Sequence, residues 1–212
     1  MTPSTATPPT DGPKGLVCGC YFGPSMRDLP RYLRHPGLDM IELRLDTFIK
    51  DSLEKASGPL AYLASPTRAQ VIATNRPRRE GGSFAGAEKD RFDVLVRAAR
   101  AGAEWVDVEF GTPPEVMDSI RGFGPRLLVS YHDFKKTPSL RKLRKIVEQL
   151  SQSGADAIKI AVQAASQADN LAVLGLIPFA KEEFGKDLVA FCMGPKGRWS
   201  RVACLFLGSP WT

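Results

Sequence analysis

The sequence predicts an α/β protein: a (β/α)8 barrel of the TIM type whose eighth strand and helix are not reached before residue 212. Three observations carry this. Short apolar strands alternate with amphipathic helical stretches seven times along the chain, which points to a parallel sheet. Most strands have one aliphatic and one polar face, whereas a doubly wound sheet, covered by helices on both sides, needs two apolar faces. The polar residues fall late in their strands, where a barrel collects its active site.

Residues 1–14 are rich in Pro, Thr and Gly and lack an apolar h-region, so they read as a disordered tail and not as a signal peptide. Residues 15–212 are expected to form one (β/α) barrel domain, incomplete at the C-terminus. The first strand is expected over 16–22 (LVCGCYF) and the first helix over 25–35. In the second strand, 38–46, Ile41, Leu43 and Leu45 share one face, while Met40, Glu42, Arg44 and Asp46 share the other. A helix over 51–64 leads to the third strand, 69–76, where Gln70, Ile72, Thr74 and Arg76 lie together. A helix over 88–101 stops at Gly102. The fourth strand, 104–110, opposes Val106, Val108 and Phe110 to Asp107 and Glu109. After a helix over 113–122, the fifth strand, 126–132, opposes Leu127, Val129 and Tyr131 to Ser130 and His132. Thr137 as N-cap, Pro138 at the first helical position and Gly154 beyond the end frame a helix over 138–153. The sixth strand, 155–162, sets Ile158, Ile160 and Val162 against Ala155, Ala157, Lys159 and Ala161. Ser166 caps a helix over 167–184, the seventh strand covers 187–193, and a last helix covers 200–207.

Composition narrows the function. The net charge is +6, but the basic residues are scattered. The densest run, Arg141 to Lys145, falls on the solvated face of a helix, with no interleaved aromatics to stack bases. A small anionic substrate fits this charge; nucleic acid does not. No apolar run reaches the roughly 18 residues of a membrane span. Four cysteines, mostly in apolar runs, read as reduced core thiols of a cytoplasmic protein. Neither of the two histidines lies near a cysteine pair, so no metal is expected.

Lys159 is the misfit of the sixth strand. It faces the barrel interior with only alanines beside it on its own strand. Desolvation is expected to lower its pKa and give a neutral amine able to attack a carbonyl as a Schiff-base nucleophile. The structural alternative is internal ion pairing with Glu42, Asp107 or Glu109. His132, one strand earlier, can move protons at neutral pH. In "TNRPRREGG" Arg76 ends a strand on the polar face and Glu80 sits in a loop held by Gly81 and Gly82. In "MGPKGRWSR", Gly194 and Gly197 make a loop, and Ser200 can cap a helix whose first turn holds Arg201. A phosphate or a carboxylate would suit that place.

Taken together, "IELRLD", "TNRPRREGG", "SYHDF", "KIAV" and "SRVACLFLGSPW" resemble, in order and spacing, the type I 3-dehydroquinate dehydratases of the shikimate pathway of aromatic amino-acid biosynthesis. The resemblance covers roughly residues 15–212. It implies a barrel lyase without cofactor, commonly a homodimer, that converts 3-dehydroquinate to 3-dehydroshikimate and water. It implies that Lys159 forms the imine, His132 shuttles protons, and Glu80 orients His132. Arg201 would hold the substrate carboxylate, and Glu42, Arg44 and Arg76 the ring hydroxyls. The alternatives are a class I Schiff-base aldolase acting on a phosphorylated sugar, or a non-catalytic truncated barrel. The family has an eighth strand, followed by a loop with a Ser and a Gln over the substrate. This sequence reaches "GSPWT" about where that strand begins. The first and seventh strands are therefore expected to be bare edges, and the helix over 200–207 to lack a strand to lead into.

Overall fold

The computed structural model describes residues 15–23, 26–48, 58–63 and 69–212. The tail expected over 1–14, and most of the helix expected over 51–64, lie outside the described residues; within 58–63, Pro59–Tyr62 form a short 3-10 turn. Seven parallel strands are laid side by side in chain order: β1 (Cys18–Tyr21), β2 (Met40–Arg44), β3 (Gln70–Thr74), β4 (Trp105–Glu109), β5 (Arg126–Asp133), β6 (Ala157–Gln163) and β7 (Leu188–Met193). The order is that of a TIM-type barrel lacking one unit. Helices return the chain between strands: α1 (Leu29–Leu33), α2 (Glu88–Arg100), α3 (Pro114–Arg121), α4 (Leu140–Ser151), α5 (Gln167–Leu174), α6 (Leu176–Phe184) and α7 (Ser200–Phe206). Among the described residues no helix is long and apolar enough to cross a membrane.

The alternating strand faces produce two cores. The outer one joins Ile41, Leu43, Val106, Val129, Ile158 and Ile160 to buried helix residues such as Leu95, Leu143 and Ile177. The inner one is smaller and fills the barrel floor with Met40, Ile72, Trp105, Leu128, Ala157, Val189 and Trp211. On α4 the apolar stripe Leu143, Ile146, Val147 and Leu150 is buried, and Arg141, Lys142, Arg144 and Lys145 stay in solvent.

Four expectations need correction. Thr137 is not the cap of α4. That role falls to Ser139, whose hydroxyl accepts from the Lys142 amide, while Thr137 donates to the Gln163 carbonyl at 2.8 Å and ties the loop to β6. The long helix over 167–184 is two helices, α5 and α6, broken at Gly175. Pro178 sits in the first turn of α6, where its missing N–H costs least. Ser166 does cap α5, in a capping box with Asp169. Ser200 does not cap α7 but is its first residue; Trp199 holds the N-cap position.

The fourth correction concerns the edge of β1. Residues 210–212 run parallel to residues 16–18 and pair with them. The Leu16 amide donates to the Pro210 carbonyl (3.0 Å), the Thr212 amide to the Leu16 carbonyl (3.1 Å), and the Cys18 amide to the Thr212 carbonyl (3.1 Å). The first strand is therefore partly covered, and α7 leads into an extended segment. Trp211 packs edge-on against Trp105 in the inner core, with ring centroids 5.1 Å apart. Trp211→Ala should lower the unfolding free energy by about 3–5 kcal/mol, the usual range for a buried large aromatic. Urea denaturation measures it, and an unchanged midpoint would show that residues 210–212 do not help close the interior.

Candidate active site

Polar side chains at the C-terminal ends of the strands meet over the inner core. The parallel register sets Ser130 beside Lys159, His132 beside Ala161, and Ala161 beside Phe191. A cavity of about 370 Å³ brings together all seven residues expected from the sequence: Glu42, Arg44, Arg76, Glu80, His132, Lys159 and Arg201. Cys20, Phe22, Phe134, Phe191 and Met193 complete its apolar wall.

Lys159 is buried, with its Nζ 3.3 Å from Glu42 Oε2 and 3.7 Å from Asp107 Oδ2. Its own strand supplies only alanines, as expected, but β2 and β4 supply carboxylates across the barrel. Burial pushes the ammonium pKa down; Glu42 and Asp107 outweigh it, and the net shift is upward. The expected lowering is therefore wrong: the resting lysine is an ammonium. Ion pairing and a ligand-sized cavity coexist at this residue. Burial alone would raise the Glu42 carboxyl, but Lys159, Arg76 and Arg44 hold it down at about 2.

Arg76 is 2% exposed and organises the wall. Its Nη1 donates to Glu109 and to Ser130 Oγ, both at 2.8 Å, and its Nη2 to Asp107. Ser130 Oγ donates in turn to Asp107 Oδ1 at 2.6 Å. A guanidinium has five N–H groups, so these partners leave donors unused. Arg44 makes a forked pair with Asp46, both contacts at 2.8 Å. Asp46 also accepts from the Arg76 and Ser83 amides, and so ties the loop after β3 to the end of β2.

His132 Nδ1 lies 3.2 Å from Glu80 Oε2. Burial, with the cations Arg76, Lys159 and Arg44 nearby, pushes the imidazole well below its usual value, so it is neutral at pH 7. Burial also raises the Glu80 carboxyl, helped by the Glu109 charge, to about 7. Glu80 ends a 3-10 turn, Arg78–Glu80, followed by Gly81 in the left-handed region at φ +74°. A Cβ on Gly81 would strike the Phe134 ring, which stacks on His132. A Cβ on Gly82 would stand 1.9 Å from the Arg76 carbonyl oxygen. The glycine pair thus lets the turn fold tightly enough to aim Glu80 at His132.

Arg201 lies with its guanidinium 4.0 Å over the Phe191 ring. Among the described residues no carboxylate is within ion-pair distance of it, and burial pushes its pKa down. An arginine so placed is ready for an anion. Ser200 fixes the approach: its hydroxyl accepts from the Cys192 amide at 2.8 Å and donates to the Gly197 carbonyl at 2.6 Å, strapping the loop to β7.

Reading the sequence missed Arg91, the largest fully buried side chain. The signal was present: Arg91, Leu95, Ala98 and Ala99 make one helical stripe, and a charge inside an apolar stripe implies a buried partner. Nothing in the sequence marked Cys20 or Phe191 as cavity residues, because their contacts come from distant strands. Gly82→Ala should destabilise the protein by about 1–3 kcal/mol through overpacking against Arg76. Thermal unfolding reads this, and an unchanged Tm would show that the turn yields freely.

Comparison with known proteins gives the family and the fold. The family model "Type I 3-dehydroquinase" matches residues 23–212. A 3-dehydroquinate dehydratase of Syntrophobacter fumaroxidans is 47% identical over 201 residues, spanning 93% of this chain and 85% of that protein. One from Desulfotalea psychrophila is 37% identical over 197 residues, spanning 91% and 84%. The crystal structure of 3-dehydroquinate dehydratase from Geobacillus kaustophilus superposes with a TM-score of 0.84 at 26% identity, covering 94% of this chain and 81% of that one. From its sequence and its fold alike, this chain belongs to the type I 3-dehydroquinase family.

Proposed function

We propose that the protein dehydrates 3-dehydroquinate to 3-dehydroshikimate through an imine at Lys159. The observation that carries this is one cavity joining a buried lysine, a neutral histidine with its carboxyl partner, and an arginine without a carboxylate partner among the described residues. Arg201 holds the substrate carboxylate, and Glu42, Arg44 and the unused donors of Arg76 hold ring hydroxyls. With four cations against two carboxyl groups, one of them near neutrality, the cavity suits an anion. A phosphorylated-sugar aldolase would use the same lysine but has no use for this match to the dehydratase motifs. The homodimer implied by the same resemblance belongs to this reading, and sedimentation tests it.

The Lys159 ammonium first gives a proton to His132, which is neutral at rest. The free amine adds to the C3 carbonyl, and His132 returns its proton to the carbinolamine hydroxyl, which leaves as water to give a protonated imine and a neutral histidine. That imine withdraws electrons and acidifies the C2 proton, which His132 removes. His132 then gives that proton to the β-hydroxyl, which leaves as water, and hydrolysis of the imine releases the enone and restores the lysine.

Borohydride added during turnover should leave a reduced adduct on the Lys159 peptide, seen by mass spectrometry. A folded, unmodified protein would refute the imine. The second expected outcome is a pH limb set by Glu80. Above about pH 7 the Glu80 carboxylate accepts from Nδ1–H, and the other ring nitrogen is left as the base. Below it the neutral carboxyl can donate to Nδ1 and favour the wrong tautomer. So kcat/KM should rise through about pH 7, and Glu80→Gln should abolish that limb. An identical pH profile in the variant would remove Glu80 from the mechanism.

A further inference from the structure

The buried charges do not stop at the cavity wall. Arg91, on α2, donates through Nη1 to Glu109 Oε2 and, at 3.3 Å, to the Asn75 carbonyl; its Nη2 donates to Glu88 at 3.0 Å. The other oxygen of Glu109 accepts from Arg76 at 2.8 Å. Arg76 holds Asp107, and Asp107 stands 3.7 Å from the Lys159 amine. Charge alternates along the whole path, from the helix outside the barrel to the lysine inside it. If position 91 only filled space, an apolar side chain would serve there, as Leu95 and Ala98 do on the same stripe.

We infer that Arg91 is a positioning residue for the reaction at Lys159: by holding one oxygen of Glu109 it makes Glu109 grip Arg76 with the other, which keeps Arg76 on Asp107. The inference rests on Lys159 being the imine-forming residue. Without Arg91 both Glu109 oxygens are free for Arg76, and a forked pair is the stronger geometry. Arg76 then turns toward Glu109 and loosens its hold on Asp107, which closes on Lys159. A tighter ion pair keeps the lysine protonated and slows its attack. Arg44 pairs with Asp46 and Arg201 lies over Phe191, both off this path, so the carboxylate anchor and the Arg44 contact are spared, and only the hydroxyl contact of Arg76 shifts.

The test compares Arg91→Met, Arg91→Lys and the double variant Arg91→Met/Glu109→Gln with wild type, using 3-dehydroquinate and a check of folding by circular dichroism. Arg91→Met should lower kcat by about 3- to 100-fold, the span of coupling within one charge network, and raise KM by less than it lowers kcat. Removing the surplus carboxylate in the double variant should restore much of kcat, and Arg91→Lys should fall between. The second readout needs no turnover. NMR titration of Lys159 in the Arg91→Met protein should show its pKa moved up. The groups facing Lys159 are Cys18 and Cys20 on β1, Glu42 on β2, Arg76 after β3, Asp107 on β4 and His132 on β5, and the variant replaces none of them, so a shift reports their rearrangement. Folded Arg91→Met with wild-type kcat, or a double variant no better than the single, overturns the inference. If Arg91→Met does not fold, Arg91→Lys decides: an unchanged kcat and Lys159 titration overturn it. Wild type without turnover would strike the dehydratase reading instead, and the titration would still decide the role of Arg91.

Discussion

A lysine inside a barrel must be given carboxylates, and the remainder of this interior follows from that constraint. Lys159 takes Glu42 and Asp107. Asp107 is fully buried and would be costly as a second unpaired charge, so it takes Arg76 and Ser130. Arg76 brings in Glu109, and Glu109 brings in Arg91. Each ion is acceptable only because its neighbour is present. Breaking such a chain by removing one member leaves an uncompensated charge, which is far worse than replacing a whole pair. This is why the polar upper half of the barrel is as tightly specified as the apolar floor.

The same field divides the roles of the titratable groups. Burial, with the cations around it, keeps His132 neutral, so it is available as a base. Carboxylates around Lys159 keep it charged, so it waits for a proton acceptor before it can attack. Glu80 lies between the two influences, raised by burial and by Glu109 to about 7. Two neighbouring groups pushed apart in this way are suited to acid and base work at one pH. The glycines of the loop after β3 serve this arrangement by letting the backbone close on Arg76 and bring Glu80 to the histidine.

The floor has a different logic. Met40, Ile72, Trp105, Leu128 and Trp211 exclude water from below the ion network, which strengthens every charge contact above them. Trp211 joins this floor from a segment that pairs with residues 16–18, so the short stretch after α7 contributes to the site although it touches no reacting group.

By itself the sequence determined the parallel strand order and the division of each strand into an aliphatic and a polar face, because a period of two is written directly in residues such as Ile158 and Lys159. It also marked the seven residues Glu42, Arg44, Arg76, Glu80, His132, Lys159 and Arg201 of the cavity wall, since a charge in an apolar strand or a glycine pair beside a glutamate is visible without coordinates, but not the apolar residues beside them. Local signals failed where two readings were equally good: Thr137 and Ser139 can both cap a helix, and one helix or two could cover 167–184. Only the tertiary structure decided the charge state of Lys159. Its carboxylate partners lie on strands 117 and 52 residues away in the chain, and no pattern along one strand shows what stands across a barrel. The partner of Arg91 was decided in the same way: its place in an apolar helix stripe implies a buried partner, and the fold alone supplies Glu109.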